Sequence, residues 1–304
     1  MKLPIFEIVK QAYGFVWAHR AEFWKLAIPA IVIVSISYAV ISWGSWVIIG
    51  EPQSFGEHLE KTTKPSITDF QSFFWLWLAP MTVFAIVFII VFCMYSVAWH
   101  RLYLVPEEQA NAAAAYRWGG RQWRFLFNYV KVVLMMIPPF IFVFAGAALV
   151  GVSAGAMVRG GVEFGTVFAI VVAFIVYILI WLAIGWLYAK VSMVFPSTAA
   201  DAHMSLREGW RLSEDNGWQL LWIIVFVALP VGIVTWSVNY ATSFLLHETG
   251  GTTPLTGIFL TALIRQFFGF IGTAVGVSAL SISYKRLMDA GAAQPAGAAE
   301  GMGG

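Results

Sequence analysis

Apolar residues fall along this chain in six long blocks separated by short polar joints. The blocks cover residues 26–50, 73–98, 125–152, 164–188, 220–243 and 255–283. Each is near or above the ~20 residues that a helix needs to cross ~30 Å of hydrocarbon. The blocks are apolar on every face and do not alternate with a period of two, so the strands of a membrane barrel are excluded. Helices, which satisfy their own backbone groups, are predicted throughout. A shorter pattern precedes the first block. Pro4 suits a helix start, where its missing N–H costs little. Ile5, Ile8, Val9, Ala12 and Val16 then share one face, opposite Glu7, Lys10 and Gln11. That spacing predicts an amphipathic helix lying in the membrane interface, with Trp17 and Trp24 flanking His19 and Arg20 at headgroup level.

The joints resemble one another. Trp99-His100-Arg101-Leu102 after the second block compares with Tyr284-Lys285-Arg286-Leu287 after the sixth, and more loosely with Tyr188-Ala189-Lys190-Val191 after the fourth. His100 and Lys190 each precede a proline by six residues, Pro106 and Pro196. Residues 5–24, 108–123 and 205–218 share a plan before the odd-numbered blocks: a short amphipathic piece, charges, then tryptophan. The expected architecture is therefore an all-α membrane protein of six transmembrane helices. It consists of three parallel repeats, each an interfacial helix plus a helical hairpin, over about 1–106, 107–196 and 197–288. A small, polar tail at 289–304 is expected to be disordered.

Composition supports this reading. The chain is 60% hydrophobic and 11% charged, with a mean hydropathy of +0.78. Soluble domains carry roughly 25% charge. The formal charge of +2 includes no basic cluster dense enough for nucleic acid. Cys93, the only cysteine, cannot form an intramolecular disulfide. The charges before the first block and its length do not fit a secretory signal. With the N-terminus inside, 14 of the 18 Lys and Arg residues lie on the cytoplasmic side and 4 outside. The positive-inside rule places both termini in the cytoplasm.

Candidate chemistry is sparse. Charges inside apolar runs are costly and mark functional candidates. Lys131 lies about two turns into the third block and Arg265 about three turns into the sixth; each either snorkels to an interface or faces a polar cavity. Arg265 in an outward cavity would hold an anionic headgroup. Asn239 is the other deep polar residue on the outer half. Ser205 and Glu208 fit a capping box, and Arg207 and Arg211 flank that short helix, where they can attract anionic lipid. Prolines Pro29, Pro80, Pro138, Pro139 and Pro230 interrupt the blocks, read as packing kinks more readily than as substrate-binding breaks. The small-residue stripes Ala147/Gly151/Gly155 and Gly269/Gly272/Gly276 predict close helix contact, within the monomer or between copies. Glu51, Glu57, His58, Glu60, Asp69, His247 and Glu248 in the outer loops are of metal-ligand type but match no defined spacing. No nucleotide loop, metalloprotease helix or nucleophile elbow is present, and no metal, cofactor or catalytic residue is assigned.

The run Met204-Ser-Leu-Arg-Glu-Gly-Trp-Arg-Leu-Ser-Glu-Asp-Asn-Gly-Trp218, with the preceding Tyr188-Ala189-Lys190 and Phe195-Pro196, resembles a signature of bacterial polytopic proteins. It is similar to the membrane domain attached to some glycerophosphodiester phosphodiesterases and to YciC-like inner-membrane proteins. The resemblance implies a six-helix bacterial inner-membrane protein. The phosphodiesterase barrel has no counterpart here, so no catalytic residue carries over. The expected function is non-enzymatic: binding membrane lipid or organising a membrane-protein partner or homo-oligomer. The alternative is transport of a small solute or lipid. The residues expected to contact lipid or solute are Lys131, Arg265, Asn239, Arg207 and Arg211.

Overall fold

The described residues of each apolar block lie within one helix, and the polar segments before and between the blocks supply the shorter ones. The structure is a computed structural model that describes residues 2–49, 67–105, 117–158, 164–248 and 255–292. The described residues form α1 (Ile5–Ala18), α2 (Arg20–Ile49), α3 (Ile67–Leu104), α4 (Gly120–Val158) and α5 (Phe164–Val191). Then follow two short helices, α6 (Val194–Ala199) and α7 (Leu206–Leu212), a 3-10 turn at Glu214–Asn216, α8 (Gly217–Glu248) and α9 (Leu255–Ala292). No strand occurs among the described residues. Helices α2, α3, α4, α5, α8 and α9 are each long and apolar enough to cross a membrane. The protein is an all-α, multi-pass membrane protein.

Several helices start before their apolar blocks. α2 begins at Arg20, α4 at Gly120 and α8 at Gly217, because Arg, Glu and Gln at these ends continue a helix as readily as apolar residues do. α9 continues through Met288 to Ala292, so the first four residues assigned to the tail are helical. It is also unbroken through Arg265, and its 38 residues measure about 57 Å at 1.5 Å each, longer than the hydrocarbon layer. Pro29, Pro80, Pro138, Pro139 and Pro230 all lie inside continuous helices, as the kink reading requires. Residues 108–116, Glu51, Glu57, His58, Glu60, Lys61, Lys64, Arg159 and the tail from 293 lie outside the described residues, as do the side-chain surroundings of Asp69, Ala147, Gly151, Gly155, His247 and Glu248.

α9 is the hub, packing against α1, α2, α3, α6 and α8. Its buried face is built of small and hydroxyl residues, including Ala274, Ser278, Ser281 and Ser283. Each serine donates its hydroxyl proton to the carbonyl four residues back, at 2.7–2.9 Å, so burial leaves no donor unpaired. The oxygens then accept from α3: Trp99 Nε1 donates to Ser278 Oγ at 2.9 Å, and His100 Nδ1 to Ser281 Oγ at 2.7 Å. Three apolar clusters surround the hub. One joins α1, α8 and α9 through Ile8, Leu220 and Ile282; one joins α2, α3 and α9 through Leu26, Tyr95 and Phe270; one joins α3, α4, α5 and α6 through Val97, Phe125 and Phe195. Phe142, Phe144, Phe174 and Trp236 point outward, where hydrocarbon surrounds a membrane protein.

The amphipathic α1 is where sequence pattern and structure differ most. Its apolar face is covered by protein: Ile8 and Ala12 are buried against α8 and α9. Polar contacts fix it there. Leu3 N–H donates to Asn216 Oδ1 at 2.9 Å, Tyr13 Oη to the Val227 carbonyl at 2.9 Å, and Arg286 pairs with Glu7 at 2.6 Å. Phe6 and Trp17 remain exposed. α1, α6, α7 and the basic joints thus gather at one end of the bundle, here termed the basic end.

Candidate functional site

The joint between α5 and α8 builds the centre of the basic end. After α6 the chain reverses at Asp201, whose φ of 60° is in the left-handed region. Aspartate tolerates that conformation better than most residues. The reversal presents its carboxylate to three arginines from two other helices. Arg121 forms a fork, with Nε 2.9 Å from Oδ1 and Nη2 2.6 Å from Oδ2. Arg101 Nη1 lies 2.8 Å from Oδ2 and also donates to the Ala199 carbonyl at 2.8 Å. Arg124 Nη2 makes the longest contact, 3.2 Å to Oδ1. The Arg121 hydrogen bonds hold the Asp201 carboxyl below the usual aspartate range; its charge and Arg101 add to this, while partial burial opposes it.

Arg124 also belongs to a cavity of about 590 Å³ beside this cluster. The α4 wall consists of Arg124, Phe127, Asn128 and Lys131, at helical spacings of three, four and seven that place them on one face. Thr198, His203, Ser205 and Glu208 close the other side. Arg124 Nη1 donates to His203 Nε2 at 2.7 Å, and His203 Nδ1 lies 3.1 Å from the Asp201 carbonyl, a pattern that fits the neutral ring protonated at Nδ1. Asn128 Nδ2 donates to Thr198 Oγ1 at 2.8 Å. Lys131 is exposed to this space, and its ammonium has no hydrogen bond or ion pair among the described residues.

Glu208 is already engaged. It accepts the Ser205 backbone N–H at 2.6 Å and the Ser205 hydroxyl at 2.8 Å, and its own N–H returns to Ser205 Oγ at 3.3 Å. This is the expected capping box. The Ser205 N–H, more than the hydroxyl, holds the Glu208 carboxyl below its usual range.

A second cation lies nearby with no acidic partner among the described residues. Lys190, at the end of α5, is only 4% exposed. Its ammonium lies 4.8 Å from the Trp186 ring centroid and 4.2 Å from that of Trp210 on α7. Two indole faces supply the negative potential that a carboxylate would otherwise provide. Gly217 makes room for the cage: a Cβ there would lie 2.7 Å from Trp186 Nε1 and 3.2 Å from Lys190 Cγ.

The residues singled out in the sequence do not converge. Lys131 lines the basic-end cavity. Asn239 lines a separate space of about 550 Å³ at bilayer depth, between α5, α8 and α9, with Thr235, Trp236, Gly232 and Gly276. Arg265 is exposed on α9 and lines neither space. Arg207 and Arg211 are exposed on α7, outside both. Asp201, His203 and the arginines around them were not recognisable as a unit from sequence. The available signal was Asp201 itself, an acid inside a joint facing basic joints. No family model, curated protein or solved structure matches this chain.

Proposed function

We propose that this protein binds an anionic lipid headgroup in the cavity at its basic end. The observation that carries the reading is the pairing of Arg124 with Lys131, which has no partner among the described residues, on one wall of a 590 Å³ space at the end of a membrane-spanning helix. Phe127 and Asn128 between them supply an apolar surface and a hydrogen-bond donor, the mixture an interfacial headgroup needs. Positive-inside bias puts this end in the cytoplasm, and the YciC-like joint motif is consistent with a bacterial inner membrane. The role is binding, with partner organisation through the exposed helix faces, rather than catalysis. Mass spectrometry of lipids and proteins retained after mild-detergent purification tests it. Anionic phospholipid should be enriched over its share of the source membrane; a retained population matching the bulk lipid would refute the reading.

The space containing Asn239 supports a second reading, transport of a small solute or lipid. A water-filled path would make Asn239→Cys react with a membrane-impermeant thiol reagent. Protection of that cysteine from both sides would eliminate a path through this space.

A further inference from the structure

The same cavity holds more information than the sign of its ligand. We infer that it takes a phosphomonoester headgroup, bridged between Arg124 and Lys131. This rests on the headgroup reading above and adds the class of headgroup.

Arg124 is the cation free to move. Asp201 is satisfied without Arg124, because Arg121 contributes two hydrogen bonds and Arg101 a third, at 2.6–2.9 Å. Arg124 contributes the longest contact, 3.2 Å, and its side chain is the most exposed of the three, at 43% against 32% and 9%. Its other partner is a neutral imidazole. Arg124 can therefore turn to an incoming anion while the Asp201 latch stays closed.

The two cations together call for three anionic oxygens. Lys131 lies seven residues from Arg124, about 10.5 Å along α4, on the same wall. A guanidinium fork takes two oxygens of an anion, and an ammonium takes one more as a point charge. A phosphomonoester offers three terminal oxygens and, above its second ionisation near pH ~6, almost two charges. A phosphodiester offers two such oxygens and one charge, so one cation would lack its own oxygen. Glu208, the ionised carboxylate on the opposite wall, is held by Ser205 through Oε2 and makes no ion pair to either cation among the described residues; its single charge offsets one of the two cations and leaves the cavity wall net positive.

The test uses the full chain in phosphatidylcholine nanodiscs doped with equal small fractions of phosphatidic acid and phosphatidylglycerol, with retained lipid counted by native mass spectrometry. At about pH 8, phosphatidic acid should be retained about fivefold over phosphatidylglycerol, the gain from one additional cation–phosphate contact near a membrane surface. At about pH 5, below the second ionisation, the preference should shrink. Arg124→Gln and Lys131→Gln should each abolish the preference, while the Arg207→Gln/Arg211→Gln double variant, altered outside the cavity, should keep it. Excess soluble glycerol 3-phosphate should leave bound phosphatidic acid in place; displacement would overturn a lipid source for the phosphomonoester. Equal retention of the two anionic lipids at pH 8 would overturn the inference while leaving headgroup binding intact. Retention of neither above phosphatidylcholine would remove both.

Discussion

Lys190 Nζ lies 4.2 Å from the centre of the Trp210 ring, joining the end of α5 to α7 through an aromatic face. Trp186 closes the other side, and Ser213 Oγ donates to the Lys190 carbonyl at 2.8 Å. The whole clasp fits only because position 217 has no side chain. Gly217→Ala should lower the thermal midpoint in detergent, by an amount equivalent to about 1–3 kcal/mol of overpacking. A midpoint within error of the parent would mean that α8 moves away freely and that the clasp does not hold the joint.

Gly272 and Gly276 share one face of α9 but do different things. A Cβ at Gly272 would lie 3.0 Å from Val231 Cγ1, so α8 approaches closely there. A Cβ at Gly276 would meet nothing within 4 Å, and at Gly269 it would meet only the nearby Gln266 side chain, at 3.9 Å. Within the chain, this stripe makes one close contact, at Gly272. Gly276→Ala should be neutral or stabilising by up to about 1 kcal/mol through helix propensity. Gly272→Ala should destabilise relative to it. Thermal melts of the two variants side by side check the order, and a larger loss at Gly276 would contradict it.

These pairs show what local pattern can and cannot carry. The six spans were legible because hydropathy over 20 residues is set by the bilayer's thickness. The capping box was legible because its donor and acceptor are three residues apart. The apolar face of α1 was legible, but periodicity does not say whether lipid or protein covers it, and α8 and α9 do. Gly272 and Gly276 were correctly placed on one face, yet what lies opposite each depends on α8. Asp201 meets Arg101, Arg121 and Arg124 across 100, 80 and 77 residues, a distance at which no spacing rule operates. Lys131 was marked by its cost in an apolar run, and that argument led to the cavity; the same argument applied to Arg265 led to an exposed position.

The Asp201 latch has a defined pH dependence. Its carboxyl is depressed in the folded protein, so its contribution to stability is complete above the unfolded aspartate value of ~3.9 and is lost as pH falls through the lower folded value. Asp201→Asn should therefore cost stability at neutral pH and nothing at a pH below both values. Asp201→Ala leaves Arg101, with a side chain only 9% exposed, without its carboxylate. It should cost about 2–3 kcal/mol, below the full buried-pair range because Asp201 itself is 38% exposed. Melting curves of parent and variants from neutral to acid pH check both points; a parallel offset at every pH would show that the carboxylate's charge is not the cause.

α1 is docked by dispersed polar contacts as well as by Ile8 and Ala12. Asn216→Ala removes the acceptor of the Leu3 N–H, and Tyr13→Phe the donor to the Val227 carbonyl. Together they should cost about 1–3 kcal/mol of local docking and raise the rate of proteolytic cleavage within α1, with the membrane spans unaffected. Unchanged cleavage would mean that apolar burial alone holds the helix.

The most direct test of the account is a count of tightly held anionic lipid in two double variants. Arg124→Gln/Lys131→Gln removes both cations from the cavity wall; Arg207→Gln/Arg211→Gln removes the same charge from the exposed face of α7. Native mass spectrometry should show the retained anionic lipid lost in the first and kept in the second. Equal loss in both would reduce the binding to surface charge, and retention in the first would place the lipid elsewhere on the protein.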